Sequence, residues 1–367
     1  MKAAGVNKDV AGRFLAAMGK RDPLAVVYYM PGVESLRRLS RGARARSANP
    51  AALTAFEETI EAFERFLQDE IGGRHALDAM ASFWLPEARE RFESSSRQMA
   101  FRAAANLRGI ECDLEVHTVI LHPAADSSRF DGVELFGLLD LRRLRPAVPL
   151  PFMAYELMDT VKDRRAFTLD GRALDGPEPA DVLLPQFGRG DPLAVRTLRG
   201  GSSIRYQLVG EDLGAQRSSD VFFGRYIPGY HSQWAAAGAP LAGACVVPDV
   251  PTRRLVADVL LHPDVWPNRD PELAFYETAG RGMASPNDPS REGDRVDLLD
   301  TVRRVGTGIE CCRVAEAPRY LELLQSVCEQ RGWDPAGFRV YRCDSKYPVH
   351  SVQYTFVFRR DPEPEDT

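Results

Sequence analysis

The chain has no uninterrupted apolar run near the ~18 residues that a membrane-spanning helix needs. Its opening residues, Met1-Lys2-Ala3-Ala4-Gly5-Val6-Asn7-Lys8, lack the apolar core of a signal peptide, so the sequence predicts a soluble cytoplasmic protein. Six cysteines occur, but none forms a Cys-x-x-Cys pair, and no Cys/His grouping has zinc spacing. Metal and cofactor are therefore not expected. Without an export signal the thiols are expected to be reduced. The adjacent Cys311-Cys312 is either a redox pair or, if it lies in a strand, one core thiol beside one outward-facing thiol. There is no G-x-S-x-G, P-loop, G-x-G-x-x-G or H-E-x-x-H, so the enzyme classes those motifs mark are not indicated.

What is present is an ordinary globular composition, 44% hydrophobic and 27% charged, on 367 residues, enough for two or three domains. The charge is uneven. Residues 1–46 carry a net +7, while the whole chain is −5. A basic end on an acidic body suggests an anionic partner, DNA first, or else a solvated face resting on the protein's own acids.

Hydrophobic periodicity divides the chain at Gly109. Before it the pattern is helical. Asn7 would cap a helix with Val10, Phe14, Leu15 and Met18 on one side. A short basic helix is expected over 34–46. Asn49-Pro50 opens an amphipathic helix marked by Leu53, Phe56, Ile60, Phe63, Leu67 and Ile71, closed by Gly72-Gly73. A helix with Leu77, Met80 and Phe83-Trp84 runs into Pro86. A long helix follows over 87–107 with Ala88, Phe92, Ser95, Met99 and Ala103 on one face. After Gly109, alternation through Cys112, Leu114, Val116, Thr118 and Ile120 reads as a strand, and short strands continue to Arg360. One helix interrupts them, over 318–331, closed by Gly332. Strands are expected over 338–343 and 352–358. The fold class predicted is α+β: a helical N-terminal region, then a larger β-rich region.

The β-rich part echoes itself. Val119-Ile120-Leu121-His122-Pro123 resembles Val259-Leu260-Leu261-His262-Pro263, with Asp131 and Asp270 downstream of each. Two related lobes, 110–235 and 250–360, would follow a basic segment, 1–46, and a helical spacer, 47–109.

Ala4-Gly5-Val6-Asn7-Lys8-Asp9-Val10-Ala11-Gly12-Arg13-Phe14-Leu15 resembles the turn and recognition helix of LacI-type helix-turn-helix regulators. Gly5 would permit the tight turn, and Val6, Val10 and Leu15 would pack the helix. The resemblance covers these twelve residues; the first helix of such a motif is missing from the sequence. It implies a bacterial DNA-binding regulator in which Lys8, Asp9, Gly12 and Arg13 face the groove, dimerised through the helical spacer, with a ligand- or partner-binding C-terminal region. The alternative is a small-molecule binding protein or enzyme with its site between the two lobes. There His122 and His262, with Asp131 and Asp270, would form a metal or acid–base site, or end their strands without further role. Tyr226, Tyr230, His231 and Trp234 would line a ligand pocket or pack a loop. Arg142, Arg143 and Arg145 would bind an anion or pair with the acidic body.

Overall fold

The computed structural model describes residues 8–126, 128–146, 148–156, 166–174, 182–190, 194–200, 203–210 and 218–364. The turn at 4–6 and the Asn7 cap lie outside these residues. The chain forms two compact units, Met1–Ser96 and Arg97–Thr367. The architecture is α+β, with N-terminal helices followed by a β-rich region. No helix among the described residues is long and apolar enough to cross a membrane.

The first unit contains α1 (Lys8–Met18), α2 (Pro23–Tyr29), α3 (Val33–Arg44), α4 (Pro50–Arg65), α5 (Arg74–Trp84) and the start of α6 (Pro86–Arg108). Local chemistry sets the boundaries. Asp22 accepts a hydrogen bond from the Leu24 amide, with Pro23 at the first helical position. Asn49 does the same for Ala51 ahead of α4. Leu53, Ile60 and Leu67 are buried along α4 and the π-turn Phe66–Ile71 that continues it. Gly72 and Gly73, at φ 87° and 110°, then end the helix in a conformation other residues resist.

Two expected faces are corrected here. Leu15 and Met18 are 68% and 66% exposed. The inward stripe of α1 is Val10, Phe14 and Ala17, at i, i+4 and i+7, with Phe14 edge-on to Phe56 at 5.9 Å. Leu15 follows Phe14 directly and cannot share its face, and Met18 sits at the stripe's edge. On α6, Ala88 is buried as expected, but Ser95, Met99 and Ala103 are exposed. From Arg97 on, the buried positions are Arg97, Phe101 and Ala105. Arg97 occupies a core position because it pairs with Asp300 at 2.5 Å and donates to Ser345 at 3.0 Å.

The second unit holds β1 (Ile110–Pro123), β2 (Arg129–Arg143), β3 (Leu150–Glu156), β4 (Ala194–Gly200), β5 (Ser203–Val209), β6 (Ser219–Ser232), β7 (Leu241–Val246), β8 (Thr252–Leu261), β9 (Glu272–Glu277), β10 (Val302–Thr307), α7 (Tyr320–Arg331), β11 (Arg339–Lys346) and β12 (Val352–Arg359). A six-stranded sheet runs β10-β11-β8-β1-β2-β6. Its central pair, β1 and β8, is parallel, with Val119 opposite Val259 and Leu121 opposite Leu261. The echoing segments are thus neighbours in one sheet. One face is covered by α7, whose Tyr320, Leu323, Leu324 and Val327 pack on Val116, Ile120, Val256 and Leu260. The other carries the three-stranded sheet β7-β12-β9, packing Phe275, Tyr354 and Phe356 on Val119, Leu121 and Val259. Each such side chain contributes roughly 1.5–3 kcal/mol on burial. A third sheet, β3-β5-β4, places Leu150, Tyr206 and Leu208 against Ile110 and Leu141. All six cysteines are free; Cys311 and Cys312 lie in a 3₁₀ turn, not a strand, and Cys312 is in the core.

Covering both faces of β1 buries polar groups as well. His117 is buried and stacks on Phe136 at 4.0 Å. Burial pushes its imidazole down to about 4, with Glu134 opposing and Arg225 reinforcing the shift. The free imidazole titrates near 6.5, so between these values the native state holds fewer protons than the unfolded chain. Stability contributed by neutral His117 is therefore present above about pH 6.5 and lost as pH falls through about 4, a change of about 3 kcal/mol. His117→Phe keeps the stacked ring and is expected to remove this part of the acid sensitivity, read as a smaller drop in urea midpoint between neutral and acidic buffer.

Candidate functional site

The central parallel strands end together. His122 is the second-to-last residue of β1, and His262 directly follows β8, donating its amide to the Leu121 carbonyl at 3.0 Å. Pro123 and Pro263 come next, and a proline supplies no N–H to extend a ladder. Strand alternation puts both imidazoles on the side of Ile120 and Leu260, the α7 side. The rings meet with centroids 4.5 Å apart at 60°.

The end of α7 completes the cluster. Gly332 adopts the left-handed conformation, φ 67°, and Trp333 donates its amide back to Cys328 at 2.9 Å. The turn lays the indole flat on His122, 4.7 Å between centroids and 4° between planes. Phe338 lies 6.4 Å from His122 and 6.5 Å from His262. Trp333 and Phe338 were not readable as site residues. The one available signal was an aromatic directly after a helix-closing glycine, a position that often packs back on its helix.

The hydrogen bonds assign opposite tautomers to the neutral rings. His122 Nδ1 lies 3.0 Å from the Pro123 carbonyl, which only accepts, so Nδ1 carries the proton and Nε2 a lone pair. His262 Nδ1 accepts from the Asp264 amide at 3.3 Å, so its proton sits on Nε2. Burial and then the neighbouring His122 hold the His262 pKa below its ordinary value, against the opposing pull of Asp264. The half-buried pair thus offers one acceptor and one donor.

The aspartates expected to join the histidines do not. Asp131 is the cross-strand partner of His122, but its carboxylate accepts the Tyr226 hydroxyl at 2.7 Å and the Gly229 amide at 2.8 Å. Asp270 accepts the Tyr341 hydroxyl at 2.5 Å. No group of three His, Cys, Asp or Glu side chains among the described residues is arranged to hold a metal. The aromatic set divides. Tyr226 packs on the α7 side under the Arg331 guanidinium, 3.6 Å from the ring centre. Tyr230 donates to Glu134 at 2.6 Å, and His231 lies between Tyr230 and Trp266. The Trp234 backbone is held by the Ser232 hydroxyl, which donates to its carbonyl at 3.1 Å and accepts from its amide at 3.3 Å. Arg331 also donates to the Leu169 carbonyl at 2.9 Å, and Leu169, Leu184, Phe187, Leu323 and Ser326 help line a cleft of about 190 Å³ beside α7.

In the first unit Lys8, Asp9 and Gly12 are exposed at the start of α1. Arg13 donates to the Tyr28 carbonyl at 3.3 Å, and partial burial, then Arg74, lowers its pKa. The arginines at the end of β2 and just beyond it are engaged within the chain. Arg142 pairs with Glu111 and Asp113, Arg143 donates to the Val148 carbonyl, and Arg145 to the Asn106 carbonyl.

No family model and no curated protein sequence matches this chain. Among solved structures, a "putative protease" from Parabacteroides distasonis aligns over 68% of the chain at 7% identity, with a TM-score of 0.29. The chain spans 40% of that protein's length. A likeness this low carries no argument about fold or activity.

Proposed function

We propose that the second unit binds a small planar molecule at the His122–His262 pair. The observation that carries this is the convergence of two imidazoles, 140 residues apart in sequence, at the carboxyl ends of adjacent parallel strands, with an indole stacked on one of them. Open sheets with parallel strands use that edge for ligands. An acceptor beside a donor suits a carboxamide or a heterocycle edge, which carries the complementary pair. Trp333 supplies the reporter. A set of small planar amides, benzamide among them, is expected to include compounds that quench Trp333 fluorescence saturably, with quenching lost in His122→Ala and in Trp333→Phe. Quenching that persists in both variants, or its absence across the set, counts against the reading.

A second reading adds DNA to the first. Lys8, Asp9 and Gly12 share the exposed start of a helix in a segment of net +7, which favours a regulator-like protein whose first unit contacts DNA while the second senses a ligand. In that reading Lys8, exposed on the first turn of α1, makes the first phosphate contact. Pairing of two copies through the helices of 47–109 would place two such ends on two half-sites.

A further inference from the structure

A different part of the first unit gathers positive charge around two tyrosines. Tyr28 and Tyr29 close α2 with rings 5.2 Å apart, edge to face. Lys20 Nζ sits 4.4 Å from the centre of the Tyr29 ring, and the Arg91 guanidinium lies 5.9 Å from it. Arg74 lies 6.0 Å from the Tyr28 ring, and Arg13 donates to the Tyr28 carbonyl. The C-terminal end of a helix attracts cations, which explains two of the four. Arg74 is fully engaged, with the carbonyls of Tyr28 and Met30 and with Asp78 at 3.0 Å. Arg13 gives one N–H to the helix end and keeps the rest of its fork. Lys20 and Arg91 have only the ring face, and neither forms an ion pair among the described residues.

Three cations thus stand together with no carboxylate among the described residues paired to any of them. Burial is the main cause that lowers the Arg13 pKa; neighbouring Arg74 lowers it further, Asp78 and Tyr28 oppose the shift, and Arg91 adds a smaller repulsion. An anion would relieve that repulsion and take the donors left over. A phosphate group, with several acceptor oxygens and up to two charges, matches two guanidinium forks and an ammonium better than a single carboxylate does. The Tyr29 ring would hold Lys20 and Arg91 in place for it.

We infer that Lys20 and Arg91 over the Tyr29 ring, with Arg13 at the Tyr28 carbonyl, form a phosphate-binding site, filled either by the backbone of a nucleic acid or by a free phosphate. The site stands independently of the ligand reading of the histidine pair, and it does not require α1 to enter a groove.

The test uses the full chain, inorganic phosphate and a fluorescein-labelled DNA duplex. Lys20→Gln combined with Arg91→Gln removes two cations from the site. Arg38→Gln combined with Arg41→Gln removes two exposed cations from α3 and is the charge-matched control. Phosphate should shift the Tyr29 ring signals saturably in the parent and the control but not in the site variant. If the phosphate belongs to nucleic acid, duplex affinity should fall about tenfold or more in the site variant and less than twofold in the control. The slope of log K against log salt should become shallower by roughly 0.9 for each cation removed from a phosphate contact. Phosphate binding without duplex binding would assign the free anion. Circular dichroism checks folding, and Lys20→Gln alone serves if the double variant is unfolded. Equal losses in both double variants, or no saturable binding of either probe to the parent, would overturn the inference.

Discussion

Asp258→Ala is expected to destabilise the second unit by about 3–5 kcal/mol, because it strands a buried guanidinium. Asp258 is 1% exposed, on the α7 face of β8. Arg342, across the ladder on β11, donates to both its oxygens at 2.7 Å, and the Tyr320 hydroxyl of α7 donates at 2.9 Å. Burial raises the proton affinity of this carboxyl, and Arg342 opposes it. The pair therefore ties α7 to two central strands while contributing little net stability beyond the desolvation it offsets. Removing one partner should cost much more than replacing both. Urea unfolding followed by tryptophan fluorescence would show this, since all tryptophans except Trp84 lie in this unit. Asp258→Leu combined with Arg342→Met should recover a large part of the loss. A loss under about 1 kcal/mol for Asp258→Ala would mean that Arg342 finds water or another acceptor there.

The second large effect has the opposite sign. Glu115 is buried on β1, and burial and then Asp249 push its carboxyl up to about 8, partly offset by a hydrogen bond from Thr252. The unfolded carboxyl titrates near 4.5, so between these values the native state holds more protons than the unfolded chain. Stability from this group is fully present below about pH 4.5 and is lost as pH rises through about 8. The amount is on the order of 4 kcal/mol at about pH 8. Glu115→Gln imposes the neutral form at every pH. It should leave stability at about pH 4.5 nearly unchanged and raise it by that order at about pH 8. The Asp249 carboxyl, also shifted up by its burial, is present in both proteins and largely cancels. A gain that does not grow with pH would show that Glu115 is ionised in the native state.

The features legible in the sequence are those that local chemistry dictates. Asn49-Pro50 and Gly332 marked helix ends because capping and left-handed turns depend on a few adjacent residues. The switch at Gly109 was visible because hydrophobic period changes there. The repeated Leu-His-Pro pointed to His122 and His262, and those two rings do meet. Long-range partners were not readable. Arg97 and Asp300 make each other tolerable in the core, yet each looks like a surface residue alone. Asp131 and Asp270 were drawn away by Tyr226 and Tyr341, which alternation could not place opposite them. Trp333 reaches His122 only because α7 is laid across the sheet, a fact of tertiary packing. Nor could the Tyr28 carbonyl be foreseen as a partner of Arg13, since it ends a separate helix fifteen residues on.

The measurement closest to the heart of the account is a titration of the chain, labelled at its histidine ring carbons, with the planar amides. His122 and His262 should move together and saturate at one affinity, while His75, distant in sequence and in the other unit, stays fixed. His262→Ala should abolish the His122 response as well. Rings that respond independently of each other, or a bound amide that leaves both unmoved, would contradict the assignment of this strand edge as a binding site.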